Sequence, residues 1–232
     1  MRLISWSRLP TERPLVAPSL LSADFARLGE EIAAVERAGG DLLHLDVMDG
    51  QFVSNLSMGP VVIRGIRKLT TLFLDTHLMV VEPGRYVRDF RQAGSDGITV
   101  HVEACADVAS ALAQVRESGA RVGLALNPDT PFERVAPFLG QVDLVLAMTV
   151  FPGRGGQAFM PEVLPKVAKL AAARAAGGLR FVIEVDGGIG PGTATLARSQ
   201  GADVLVAGSA VFAHPPYEEP IRALRAAGPG PR

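Results

Sequence analysis

Two polar residues, His44 and Asp46, interrupt the apolar run Leu42–Met48 within the stretch Leu42–Gly50, which reads L-L-H-L-D-V-M-D-G. If the run is a strand, Leu42, His44, Asp46 and Met48 share one face and Leu43, Leu45 and Val47 the other. An imidazole and a carboxylate on one face are suitable ligands for a divalent cation. Asp49-Gly50 then supplies the turn. A buried strand with one satisfied histidine would look the same, so the weight falls on what the rest of the chain brings to this place.

The elements that must position these residues alternate along the whole sequence. Short β-type runs fall at Leu15–Pro18, Leu42–Val47, Leu72–Met79, Gly97–Val102, Arg121–Leu126, Val142–Met148, Arg180–Asp186 and Asp203–Ala207. Amphipathic or Ala-rich segments lie between them at Asp24–Ala38, Gly59–Lys68, Pro83–Ala93, Asp107–Ser118, Phe132–Leu139, Pro161–Ala176 and Pro191–Ser199, with a final helix within Tyr217–Ala227. Pro161 and Pro191 suit first helical turns, and glycines near Gly39, Gly94, Gly119, Gly177 and Gly201 end helices before the next strand. Eight strands, each followed by a helix, imply a parallel sheet with right-handed crossovers. The count of eight and the length of 232 residues favour a closed (β/α)8 TIM barrel, an α/β fold, over an open doubly wound sheet. A single domain over 14–227 is expected, with residues 1–13 and 228–232 as loose ends.

In such a barrel the reactive groups belong at the C-terminal ends of strands. Three of the four histidines fall there, in His44, D-T-H-L-M at Asp75–Met79, and H-V-E at His101–Glu103. The ligand set that emerges is His44, Asp46, His77 and Asp186. Two imidazoles and two carboxylates suit Zn²⁺ and would accept Fe²⁺, Mn²⁺ or Co²⁺. His101 and Glu103 read equally as supporting partners or as buried polar residues, and stay outside the set. Three glycine-bearing turns form a second group: Pro152–Gly156 after strand six, Gly187-Gly188 after strand seven, and Gly208-Ser209 opening a helix after strand eight. Backbone amides in such turns can approach a phosphate closely.

Composition excludes several classes. A net charge of −1 gives no electrostatic case for nucleic acid or an anionic membrane surface. The lone Cys105 forms no internal disulfide and no cysteine-based zinc site. The N-terminus lacks a signal-peptide core, and no apolar run approaches the roughly 18 residues of a membrane span. A cytoplasmic protein is expected.

The motifs A-P-S-L-L-S-A-D-F (Ala17–Phe25), H-L-D-V-M-D-G (His44–Gly50), D-T-H-L-M, H-V-E-A (His101–Ala104), L-N-P-D-T-P (Leu126–Pro131), M-T-V-F-P-G-R-G-G-Q (Met148–Gln157), E-V-D-G-G-I (Glu184–Ile189) and A-G-S-A-V-F (Ala207–Phe212) together resemble the ribulose-phosphate 3-epimerase family. The resemblance runs in order from about Pro14 to Phe212. It implies a ribulose-phosphate-binding barrel that inverts C3 of a ketose phosphate, with D-ribulose 5-phosphate and D-xylulose 5-phosphate as substrate and product in the pentose phosphate pathway. It also implies that His44, Asp46, His77 and Asp186 hold the metal, with Asp46 and Asp186 as acid and base. Ser19 and His77 would contact substrate, and Met48, Met79 and Met148 would form an apolar collar. Gly153, Arg154, Gly155, Gly156, Gly187, Gly188, Gly208 and Ser209 would hold its phosphate. Family members are typically homo-oligomers, and the same is expected here.

Four positions depart from the family pattern: Arg154 and Phe151 in the loop after strand six, Ser54 after strand two, and Asp129 after strand five. As loop residues expected over the substrate, they bear on substrate identity, and a paralogue for another ketose phosphate, such as allulose 6-phosphate, is the alternative. A non-catalytic sugar-phosphate-binding barrel is the alternative of another class, disfavoured by retention of both carboxylates. A Schiff-base aldolase or an acid–lysine–acid decarboxylase needs a lysine at a strand end, whereas Lys68, Lys166 and Lys169 all fall in expected helices.

Overall fold

Runs rich in Val, Leu and Ile become strands because both of their faces are covered. A computed structural model describes residues 13–228. Its strands are β1 (Leu15–Pro18), β2 (Leu42–Met48), β3 (Phe73–Met79), β4 (Gly97–His101), β5 (Arg121–Leu126), β6 (Leu144–Met148), β7 (Val182–Asp186) and β8 (Val204–Ala207). All pair in parallel in the order β1-β8-β7-β6-β5-β4-β3-β2, and a bridge between Ser19 and His44 brings β1 against β2. The outer layer comprises α1 (Leu28–Arg37), α2 (Pro60–Arg67), α3 (Val87–Ala93), α4 (Val108–Glu117), α5 (Leu164–Gly177), α6 (Pro191–Ser199), the single turn α7 (Ser209–Phe212) and α8 (Glu218–Arg225). The molecule is a single-domain (β/α)8 barrel, as the alternation predicts. The expected loose ends fall almost wholly outside the described residues; of those described, Arg13 lies 3.5 Å from Asp41.

One expected helix is absent. Phe132–Leu139 is not α-helical but forms two 3-10 segments, Phe132–Arg134 and Ala136–Gln141. Pro137 has no N–H to donate back one turn, and Gly140 weakens the next turn, so the tighter pattern takes over.

Alternation along β2 divides the core. Leu43, Leu45 and Val47 pack outward in the large layer between strands and helices. Leu42 joins the apolar plug inside the barrel with Ala17, Leu146 and Val206. Met48 and Met79 lie opposite each other in register and cap that interior with Val53.

At the opposite end of the barrel a four-fold device sets the strands in step. Asp41, Asp96, Asp143 and Asp203 each directly precede an even-numbered strand. Each accepts the backbone N–H of an odd-numbered strand, from Val16, Leu74, Val122 and Ile183, all at 2.9 Å. An arginine pairs with every one of them: Arg225, Arg67, Arg121 and Arg174 respectively. This ring belongs to the face that carries stability, which leaves the C-terminal face for chemistry.

Candidate metal centre and phosphate cleft

β2, β3 and β7 deliver the polar residues because their inward positions recur every second residue. In register, His44 lies opposite Asp75 and Asp46 opposite His77. His44, Asp46, His77 and Asp186 each offer one ligand atom, all within 4.8 Å of one another. The first three are buried and Asp186 half-buried. Asp46 Oδ1 stands 3.4 Å from His44 Nε2 and 3.3 Å from His77 Nδ1. Two atoms each bonded to one tetrahedral Zn²⁺ would lie about 3.3–3.4 Å apart. His44 Nε2 has no hydrogen-bond partner although fully buried. A buried ring nitrogen without a partner, facing three converging ligand atoms, fits a divalent cation.

The surroundings fix the direction in which each ring points. The Nδ1–H of His44 donates to Asp75 Oδ2 at 2.8 Å, leaving Nε2 for the cluster. Glu184 lies 3.4 Å from the same Nδ1, and both of its oxygens are buried without a hydrogen bond. Burial and the nearby Asp75 carboxylate push Glu184 up to about 8. Asp75 and Glu184 stood at strand ends in the sequence with no role assigned. Their two-residue offset from His77 and Asp186 was the signal that they share the inward face one level deeper.

The two candidate acid–base residues are pushed apart. Burial would raise Asp46, but the ring of His44 outweighs it and holds its carboxyl far below the usual range. Burial and the charge of Asp46 push Asp186 up to about 7. Burial likewise opposes charge on His44, yet Asp46, Asp75 and Glu184 keep it well above its ordinary value. Burial lowers His77 to about 4. Two neighbouring carboxyls pushed in opposite directions are the pattern expected of an acid–base pair.

A cleft opens directly above. Ser19, Asp46, Met48, Met79, Met148 and Asp186 line its floor, and Gly153, Arg154, Gly155, Gly156, Gly187, Gly188, Gly208 and Ser209 line its wall. Ser19 Oγ donates to Asp46 Oδ2 at 2.5 Å. Every residue that the resemblance puts in contact with substrate borders this cleft except the buried His77. The three methionines are buried, so their expected collar is also core packing. Across the mouth, Asn55 Nδ2 donates to the Gly153 carbonyl at 3.1 Å, joining the loops after β2 and β6.

Of the four departures, only Arg154 borders the cleft. Phe151, Ser54 and Asp129 are exposed and do not line it, which corrects the expectation that all four lie over the substrate. Asp129 sits in the turn after β5, beside the lysine that binds that turn: Lys166 donates to the carbonyls of Asn127 and Pro128 at 2.8 and 3.0 Å. Lys166 and Lys169 lie on α5 and Lys68 caps α2, so none of the three lysines stands at a strand end.

The ribulose-phosphate 3-epimerase family model matches residues 15–212. A ribulose-phosphate 3-epimerase from Synechocystis sp. is 51% identical over 213 residues, covering 91% of this chain and 93% of that protein. The Bacillus subtilis ribulose-phosphate 3-epimerase is 46% identical, covering 90% of this chain and 97% of that protein. Among solved structures, KGPDC from Streptococcus mutans superposes with a TM-score of 0.67 at 15% identity, covering 93% of this chain and 97% of that one. A Mycobacterium tuberculosis tryptophan synthase structure gives 0.65 at 18%, covering 94% and 93%. At such identities the structural likeness speaks for the barrel alone.

Proposed function

Because the chain belongs to the ribulose-phosphate 3-epimerase family, its chemistry is that of a carbohydrate epimerase, and we propose that it interconverts D-ribulose 5-phosphate and D-xylulose 5-phosphate as a step of the pentose phosphate pathway. The observation that carries the reading is geometric: His44, Asp46, His77 and Asp186 bring four ligand atoms within 4.8 Å of one another, and Asp46 and Asp186 both border the cleft walled by the glycine turns.

Inverting the carbon beside a ketone requires removing its proton from one face and returning a proton to the other. Asp46 and Asp186 serve the two faces, exchanging roles with the direction of reaction. His44, Asp46, His77 and Asp186 would hold the divalent cation, which we assign as Zn²⁺ from the two-imidazole, two-carboxylate donor set. Bound there, a divalent cation supplies Lewis-acid stabilisation of the charge that develops on the substrate oxygens. Ser19 orients Asp46 through the hydrogen bond to Oδ2. Met48, Met79 and Met148 keep water from the reacting carbon without offering a proton of their own. The turns at 153–156, 187–188 and 208–209 take the phosphate on backbone amides.

The same proposal includes self-association, as the family resemblance implies; Leu56 and Val61, large apolar side chains that are 74% and 77% exposed, support it, and light scattering checks it. No helix among the described residues is long and apolar enough to cross a membrane. The cytoplasmic expectation rests on the sequence reading and on the single free Cys105. The deciding experiment is NMR-monitored epimerisation of a panel of ketopentose and ketohexose phosphates. Preference for ribulose 5-phosphate supports the proposal, preference for a hexose phosphate such as allulose 6-phosphate replaces the substrate, and no turnover of any member refutes the reading.

A further inference from the structure

His77 presents two nitrogens to two different neighbours. Its Nδ1 lies 3.3 Å from Asp46 Oδ1, on the ligand side. Its Nε2 lies 2.7 Å from Nε2 of His101, a fully buried ring that stacks on His77 with centroids 4.9 Å apart. His101 Nδ1 is in turn 3.0 Å from Glu103 Oε2. The other oxygen of Glu103 accepts the backbone N–H of Asn127 at 2.8 Å and the hydroxyl of Thr130.

Hydrogen-bond valence gives this chain one polarity. A contact between two imidazole nitrogens needs a hydrogen on one and a lone pair on the other. Burial opposes charge on Glu103, but its bonds to His101, Asn127 and Thr130 prevail and hold it down at about 2, so it only accepts. His101 Nδ1 therefore carries a hydrogen, and in the neutral ring Nε2 is left with a lone pair. His77 Nε2–H donates to that lone pair, which leaves the lone pair of His77 Nδ1 directed at the ligand cluster.

We propose that His101 and Glu103 are positioning residues that fix the tautomer and ring plane of His77, so that its Nδ1 is permanently presented as a metal ligand. The inference deepens the metal-centre reading and rests on it. It also ties the centre to the loop after β5, because Glu103 is anchored by Asn127 and Thr130 and Lys166 holds the adjoining carbonyls.

The backbone makes a counterintuitive test available. In Glu103→Gln the fixed N–H of Asn127 can face only the amide oxygen, so the amide NH₂ must face His101. His101 Nδ1 then accepts, its Nε2–H donates to His77, and His77 must carry its hydrogen on Nδ1, the ligand atom. Glu103→Ala imposes no such polarity. The nearer isostere is therefore the worse variant, with Zn²⁺ affinity lowered about 10–100-fold and by more than in Glu103→Ala. A role limited to packing gives the reverse ranking.

Affinity is to be read by competition of Zn²⁺ with a chromophoric chelator on the full chain stripped of metal, with the thermal midpoints of the metal-free proteins compared. Independently of any variant or metal, long-range ¹H–¹⁵N spectra of the metal-free wild type should show His101 protonated on Nδ1 and His77 on Nε2. The opposite tautomers overturn the proposal, as does a Glu103→Gln variant that binds Zn²⁺ like wild type or more tightly than Glu103→Ala. Failure of the wild type itself to bind Zn²⁺ would instead overturn the metal-centre reading, and this inference with it.

Discussion

Gly188→Ala tests whether the turn after β7 carries the phosphate, and the structure sets its size. Gly188 has φ +64°, a left-handed conformation that costs a residue with a Cβ about 1–2 kcal/mol. An added Cβ would stand 2.5 Å from the backbone N of Phe159 and 2.7 Å from its Cα. Ordinary contact begins near 3.4 Å, so the two turns must part by about 0.9 Å, and because the clash is with backbone no rotamer relieves it. Overpacking of this kind adds about 1–3 kcal/mol, for a total stability loss of about 2–5 kcal/mol. A shift approaching 1 Å also breaks a hydrogen bond from the turn to a charged phosphate, worth about 1.5–3 kcal/mol, which is roughly a 10- to 150-fold rise in KM. Gly190→Ala is the control two residues on: its φ is −139° and nothing lies within 4 Å of the added Cβ. Initial-rate kinetics with ribulose 5-phosphate and a thermal melt should separate the two variants. A folded Gly188→Ala enzyme with wild-type KM would show that this turn does not hold the phosphate.

The two-face assignment predicts that Asp186→Asn abolishes epimerisation yet still exchanges the C3 hydrogen of one epimer in D₂O, while Asp46→Asn exchanges the other; with metal content measured equal to wild type, exchange of both epimers by one variant would disprove it. His77→Ala should lower Zn²⁺ occupancy and activity together, and full activity in a rigorously metal-free preparation would contradict the role of the centre. A cation must displace the proton that Asp186, pushed up to about 7, holds below that pH, so Zn²⁺ affinity should climb by up to about tenfold per pH unit from 5.5 to 7; a flat profile in chelator competition would refute the proton linkage. Arg154 is exposed at the cleft wall, where a guanidinium can clamp a phosphate, so Arg154→Phe should raise KM and weaken inhibition by inorganic phosphate; no change in either leaves Arg154 a solvated loop residue.

The sequence by itself determined which residues share the inward face at one end of the barrel. Strand alternation is a local property of the backbone, so His44, Asp46 and Met48 had to share a face once Leu42–Met48 was a strand. The barrel rule then placed them with His77, Asp186 and the glycine turns at one end. Local chemistry was less decisive at Phe132–Leu139, where helical periodicity was present and Pro137 overruled it. Only the tertiary structure decided who touches whom. The four aspartates before the even-numbered strands are plain in the sequence, but their purpose depends on strands paired in register some 20 residues away. Likewise nothing local told whether His101 was a ligand, a partner or filling, because its Nε2 meets His77 across 24 residues of chain. Hydrogen-bond polarity in a buried cluster is set by the donors that close it from all sides, here the backbone N–H of Asn127, and those are assembled only when the barrel closes.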